Sequence, residues 1–187
     1  AFAFLVEERD RKGNIGMISQ SGQIVLGGLD SRNMGFSHVI SSGNSCNVKV
    51  EDYLDFLVED EDTKVVAAYM EGVTKPAQLI ETFRKAAKKK KPIIILKTGR
   101  SVKSQQLAAS HTGSLSGADK VLRAIFRRYG IIEARDLEEL MGLASTLSWL
   151  KSFPKGQRTV FMCVSGGEAG VMADLSEDYG IELAEYN

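Results

Sequence analysis

Two cysteines, three prolines, two histidines and one tryptophan are spread over 187 residues, and each scarcity closes off a class of protein. A disulfide scaffold needs closely spaced cysteines in even sets. A structural metal site needs four His or Cys ligands at short spacings. Cys46 and Cys163 stand far apart and the histidines are His38 and His111, so neither framework is present and no metal is expected. Cys163, inside the strand-like run RTVFMCVS, is expected as a small buried hydrophobe, and Cys46 as a free loop thiol. Nothing calls for an oxidising compartment, so the cytoplasm is expected. An excess charge is also lacking: 24 Lys+Arg balance 24 Asp+Glu. That leaves no global electrostatic case for nucleic acid or an anionic membrane surface. No apolar run approaches the ~20 residues of a membrane span. The opening AFAFLVEERDRKG is too short and too acidic for a signal peptide, and residues 1–11 read as the tail of an upstream domain.

What is present is alternation. Apolar runs at NIGMIS, FSHVIS, TKVVAAYM, KPIIILKT and IIEA predict five strands, the third apolar on both faces as a central parallel strand is. Between them, IVLGGLDSRNMG, KVEDYLDFLVED, KPAQLIETFRKAAKKKK and ADKVLRAIFRRYG carry apolar residues at helical spacing. In the second of these Val50, Tyr53, Leu54 and Leu57 share a face. Pro76 at the start of the third and lysines at its end suit helix termini. DLEELMGLASTLSWLK adds a final helix, with Asp136 as N-cap and Glu139 three residues on. Strand–helix alternation predicts an α/β fold: a flavodoxin-like, doubly wound, parallel five-stranded sheet over residues 12–151, with its site at the carboxyl ends of the strands. Residues 152–157, SFPKGQ, read as a linker. Residues 158–187 restart the pattern with RTVFMCVS, GGEAG, VMADLSEDYG and IELAEY, the truncated start of a second flavodoxin-like domain, since about thirty residues do not bury a core alone.

The predicted rim carries the residues of chemical interest. At Ser19, Gln20, Ser21, Gly22 and Gln23 a strand turns into a helix, whose first N–H groups are unpaired and whose dipole favours an anion. A phosphate cradle and an ordinary capping serine both fit. The same two readings apply to Ser165, Gly166 and Gly167 of SGGEAG, which lacks the G-x-G-x-x-G spacing of a dinucleotide fingerprint. Glu71 closes an otherwise apolar strand. It suits either a carboxylate that orients an imidazole or a solvated strand end. His111 sits in a long loop of small residues, SHTGSLSG, after a basic stretch. Its imidazole is a nucleophile towards phosphorus, and Thr112, Gly113 and Ser114 supply donors beside it. A surface or capping histidine and a general base are the other readings. His38, mid-strand, is expected as a buried, satisfied core histidine. A hydrolase triad is disfavoured because G-x-S-x-G is absent. The lysine run Lys88–Lys91 is expected to be a solvated helix end, with contact to nucleotide or CoA phosphates as the other reading.

GNIGMISQSGQIV, VISSGNSCNVKVEDYLDFL, TKVVAAYMEG, KPIIILKTGRS and SHTGSLSG occur in an order that resembles the NDP-forming acyl-CoA synthetases. That superfamily includes the ADP-forming acetyl-CoA synthetases and the alpha subunit of succinyl-CoA synthetase, and the likeness runs from Lys12 to about Leu150. The resemblance implies that His111 is the phosphorylated residue that relays phosphate between an acyl-CoA site and a nucleotide site, and that Glu71 holds it. It implies that SQSGQ and SGGEAG open two helices aimed at the phosphate. The reaction implied is acid + CoA + ATP giving acyl-CoA + ADP + phosphate. CoA, ATP or ADP, and Mg would bind mainly in a CoA-binding Rossmann domain and an ATP-grasp domain, with phosphate in this chain. Neither domain's pattern is visible here, so the chain is expected to be a fragment or one subunit piece, inactive by itself; its oligomeric state is not read from the sequence, a homo-oligomer being compatible with the pairing common among relatives of this resemblance. Two other classes stand beside this one. The first is an acyl-CoA-sensing module of a protein-lysine acetyltransferase, in which the histidine is typically lost. The second is a flavin-binding flavodoxin-fold module.

Overall fold

The computed structural model describes residues 12–29, 34–43, 45, 47–99, 103–104, 119–156 and 158–184. The chain divides into two units, one running to Trp149 and one from Leu150. In the first, strands β1 (Lys12–Ser19), β2 (Phe36–Ser41), β3 (Val65–Met70), β4 (Ile93–Lys97) and β5 (Ile132–Ala134) alternate with helices α1 (Gly22–Leu29), α2 (Val50–Glu59), α3 (Pro76–Lys89), α4 (Asp119–Tyr129) and α5 (Leu137–Trp149). The five strands are ordered β2-β1-β3-β4-β5 and every pairing is parallel. This is the flavodoxin-type order, which reverses direction between β1 and β3.

The central strands are apolar because both faces are covered. All six residues of β3 and all five of β4 are buried. Since side chains alternate along a strand, Val66, Ala68 and Met70 join Ile18, Ile93 and Ile95 beneath Val50, Leu54 and Leu57 of α2, Leu79 and Phe83 of α3, and Phe126 of α4. Val65, Ala67 and Tyr69 face the other way, with Ile15, Met17, Ile94 and Leu96, against Leu140, Met141 and Ala144 of α5. Burying each of the larger aliphatic side chains stabilises the fold by roughly 1.5–3 kcal/mol. Pro76 begins α3 and Lys90 closes it in the left-handed conformation, with its N–H on the Ala86 and Ala87 carbonyls. Asp136 accepts the N–H of Glu139 at 2.8 Å. The Glu139 carboxylate reaches past the cap to the Arg135 N–H at 2.6 Å.

The face of α2 differs from the expected pattern in one residue. Glu51 is fully buried beside Val50 and Leu54. Its Oε1 accepts the backbone N–H groups of Thr74 at 2.6 Å and Lys75 at 2.9 Å, and the Thr74 hydroxyl lies 3.2 Å from Oε2. The carboxylate thereby fixes the segment joining β3 to α3. Glu51→Ala strands those donors away from water. It is expected to lower stability by about 2 kcal/mol, read as a reduced denaturation midpoint at unchanged slope, with Glu51→Gln costing less. Next to it, the Lys75 ammonium, the Lys49 backbone N–H and the Gln78 amide hold Asp52 at about 2 against an ordinary 3.8. A depressed carboxyl favours the folded state above the unfolded value, so this pairing persists above pH ~4 and is lost as pH falls through the folded value.

The second unit departs from expectation. Helix α6 (Gly166–Asp178) forms, and Ser165 caps it by accepting the Glu168 N–H at 3.2 Å. The two flanking strands expected around it reduce to one parallel bridge, Thr159 to Leu183. Met162 and Val164 are fully exposed. An apolar run becomes a strand by pairing, and among the described residues of this unit its one bridge is to the Leu183 segment. Cys163 is likewise exposed. The expectation of a buried thiol is corrected, because burial there depends on a sheet the unit does not complete.

Candidate functional site

The reversal of strand order puts the carboxyl ends of β1 and β3 side by side, with connections leaving to opposite faces. Ser19, the last residue of β1, is fully buried. Its hydroxyl donates to the Ser21 carbonyl at 2.7 Å and accepts the Ser21 N–H at 3.0 Å. That hydroxyl is spent inside the turn, so Ser19 shapes the cradle where the sequence pattern offered it as a phosphate donor. The Ser42 N–H closes on the Ser19 carbonyl at 2.9 Å and the Gln20 N–H on the Tyr69 carbonyl at 3.2 Å. Helix α1 then starts at Gly22. The N–H groups of its first turn, at Gly22, Gln23 and Ile24, are those a helix leaves without internal partners. A Cβ on Gly22 would meet only the Ser41 hydroxyl oxygen at 3.7 Å. Space for a side chain exists there, and the glycine keeps the backbone uncovered.

Glu71 follows β3 directly and is held from several sides. Gln20 Oε1 accepts its N–H at 2.6 Å and that of Gly72 at 3.3 Å. The Lys97 ammonium donates to the Glu71 carbonyl at 2.8 Å and to the Thr98 carbonyl. The Tyr69 hydroxyl donates to Glu71 Oε1 at 3.3 Å and lies 3.1 Å from Thr98 Oγ1. Burial raises the Tyr69 phenol above its ordinary 10, and the neighbouring Glu71 charge adds to the effect, so it stays a donor. Of the residues singled out from sequence, Gln20, Ser21, Gly22 and Glu71 come together at this switch point. Ser165, Gly166 and Gly167 open α6 in the second unit. His111, Thr112, Gly113 and Ser114 lie outside the described residues, as does Cys46.

Pattern reading missed Tyr69 and Lys97. A signal for Lys97 existed: it ends the run Ile93–Leu96 as Glu71 ends β3, a charge closing an apolar strand. His38 needs correction. It stands on the edge strand β2 with its side chain 36% exposed and its Nδ1 3.4 Å from Asp60 Oδ2, and that nitrogen is buried without a hydrogen bond. The ring meets Phe56 edge-on at 5.1 Å. An edge strand has a neighbour on one side only, so the core environment expected for it is incomplete. In the lysine run, Lys88 and Lys90 are exposed as at a solvated helix end, while Lys89 and Lys91 reach α2 and the residue after it. Lys89 pairs with Glu59 at 2.5 Å. The Lys91 ammonium donates to the Leu57 carbonyl at 3.1 Å and the Asp60 carbonyl at 2.5 Å, and burial pushes its pKa down. Among the described residues no three His, Cys, Asp or Glu side chains gather as a metal site, and no helix is long and apolar enough to cross a membrane.

Comparison with known proteins agrees with this fold. The family model for the succinyl-CoA ligase like flavodoxin domain matches residues 12–147. The chain is 38% identical over 179 residues to acetate–CoA ligase [ADP-forming] I of Archaeoglobus fulgidus, covering 94% of this chain and 26% of that protein. It is 40% identical over 175 residues to the alpha subunit of acetate–CoA ligase [ADP-forming] I of Pyrococcus furiosus, covering 91% of this chain and 37% of that subunit. The structure of the dinucleotide-forming acetyl-coenzyme A synthetase 1 of Ca. Korarchaeum cryptofilum, in complex with phosphate and ADP, superposes with a TM-score of 0.81 at 33% identity, covering 96% of this chain and 39% of that one. The chain thus spans between about a quarter and two fifths of the length of these relatives.

Proposed function

The chain belongs to the succinyl-CoA ligase like flavodoxin domain family, and from that premise we propose that it is the phosphohistidine-carrying domain of an ADP-forming acyl-CoA synthetase. The observation that carries the reading is the switch-point cluster: a carboxylate, Glu71, fastened beside the opening turn of α1. In the direction that makes ATP, inorganic phosphate first attacks the thioester carbonyl carbon; the C–O bond forms, the C–S bond breaks and CoA leaves with the electron pair as its thiolate, giving an acyl phosphate. A neutral imidazole nitrogen of His111 then attacks phosphorus. An N–P bond forms, the P–O bond to the acyl group breaks, and its electron pair leaves with the carboxylate. ADP later takes the phosphoryl group and regenerates the imidazole. Glu71 accepts the N–H of the other ring nitrogen, which fixes the tautomer and offsets the charge on the phosphorylated ring. The first-turn N–H groups at Gly22 and Gln23, with Ser21, meet the phosphoryl oxygens, as a helix N-terminus suits an anion. Thr112, Gly113 and Ser114 supply donors from the histidine's own loop.

The CoA and the nucleotide with its Mg are bound, in this reading, by a CoA-binding domain and an ATP-grasp domain working with this one. Residues 158–187 are, in this reading, part of a second flavodoxin-like domain. The test is direct. The full-length protein, incubated with γ-labelled ATP and Mg, is expected to acquire phosphate that is labile to acid, stable to base, and confined to the peptide containing His111. Absence of label, with acyl-CoA bound instead, would favour a sensing module. Absence of label with a bound flavin would favour a flavin carrier.

A further inference from the structure

We propose that Gln20, Tyr69 and Lys97 are positioning residues that hold Glu71 in its working geometry, an inference that rests on Glu71 steadying His111. A residue just past the end of a strand has left the ladder, and its backbone groups ordinarily turn to water. At Glu71 side chains from three strands take water's place. Gln20, beyond β1, accepts two successive N–H groups, those of Glu71 and Gly72. Lys97, closing β4, donates to the Glu71 carbonyl. Tyr69, on β3 itself, donates to the carboxylate. Lys97 and Tyr69 are both more than nine-tenths buried.

The chemistry of Lys97 is the strongest sign that more than packing is at stake. Its strand is otherwise Ile-Ile-Ile-Leu, and a fifth aliphatic residue would cover the same core. Burying an ammonium forfeits its hydration. Here that loss is offset by strand-end carbonyls, one of them belonging to Glu71. The result ties the peptide of Glu71 to β1 on its N–H side and to β4 on its carbonyl side. The carboxylate then extends from a fixed peptide, with one oxygen oriented by Tyr69. A group that supports an imidazole through successive transfers gains from that constraint, because small displacements of a reacting pair are costly in rate.

The experiment follows single-turnover phosphorylation of the full-length protein by γ-labelled ATP in Gln20→Met, Lys97→Met, Lys97→Arg and Tyr69→Phe variants, with backbone amide hydrogen exchange measured alongside. Gln20→Met and Lys97→Met are expected to slow labelling about 10- to 100-fold at unchanged ATP half-saturation. Tyr69→Phe should slow it several-fold, and Lys97→Arg should recover most of the loss. Exchange at the Glu71 and Gly72 amides should accelerate in Gln20→Met while amides of β1 and β4 keep their protection. Unchanged labelling rates in the variants would overturn the inference, as would losses that simply track a general fall in protection across the sheet. An unsubstituted protein that takes no label overturns the functional reading and this purpose with it. Label in that protein together with indifferent variants overturns the positioning role alone.

Discussion

Replacing His111 by asparagine is expected to erase the acid-labile phosphate and to lower acyl-CoA synthetase turnover of the full-length protein by about 10³-fold or more, the scale on which loss of a covalent nucleophile is felt. Asparagine keeps a comparable size and polarity but has no ring nitrogen lone pair to attack phosphorus. The step is lost. Glu71→Gln is expected to be milder, about 10²-fold, as for the loss of one preorganised electrostatic partner. The amide keeps an acceptor oxygen for the imidazole N–H but surrenders the charge that offsets the phosphorylated ring. Phosphate label and turnover should fall together in both variants, and in Glu71→Gln thermal stability should stay near that of the parent, since the Glu71 side chain lies in neither of the two apolar clusters. Full label in His111→Asn would move the phosphorylated residue elsewhere and remove the relay mechanism.

The fold was legible because its signals are collective. β3 and β4 read as continuous apolar runs because each is covered on both faces. Pro76, the lysines after it and Asp136 mark helix ends that the structure reproduces. Glu71 was legible for a related reason, since a charge that closes an apolar strand stands at the rim where this topology places its site. Other features depend on long-range pairing that no local pattern encodes. Nothing around Glu51 announces that α2 buries a carboxylate, because its partners, the Thr74 and Lys75 N–H groups, lie more than twenty residues on. Gln20 read as one more polar residue of a phosphate turn. That its Oε1 is committed to the Glu71 peptide follows only from β1 and β3 being neighbours. His38 and Cys163 show one principle at work: apolar flanks do not by themselves complete a core. An edge strand and an uncompleted unit leave such residues partly or wholly open.

Gly16→Val is expected to destabilise the first unit by about 3 kcal/mol or more, towards the upper end of what overpacking a tight core costs. Gly16 lies mid-strand in β1, paired with His38 on one side and Val66 on the other. A Cβ there would come within 2.8 Å of both Leu57 Cδ2 and Thr63 Cγ2, and 3.1 Å from Thr63 Oγ1. Neither neighbour yields easily. Leu57 is fully buried in the cluster beneath α2. The Thr63 hydroxyl is bound to Asp60 Oδ2 at 2.6 Å and to Ser37 Oγ at 2.6 Å. Asp60 is held below its ordinary value chiefly by that same threonine hydroxyl. The remaining escape is for α2 to lift from the sheet, and α2 carries Glu51, which anchors Thr74 and Lys75 a few residues beyond Glu71. Valine at this position is therefore expected to disturb the rim as well as the core, whereas Gly16→Ala, with a single methyl, should cost about 1–2 kcal/mol. Chemical denaturation of both variants, read beside the phosphorylation rate, checks the argument. A Gly16→Val protein as stable as the parent would mean that α2 does not sit on β1 as closely as these distances require.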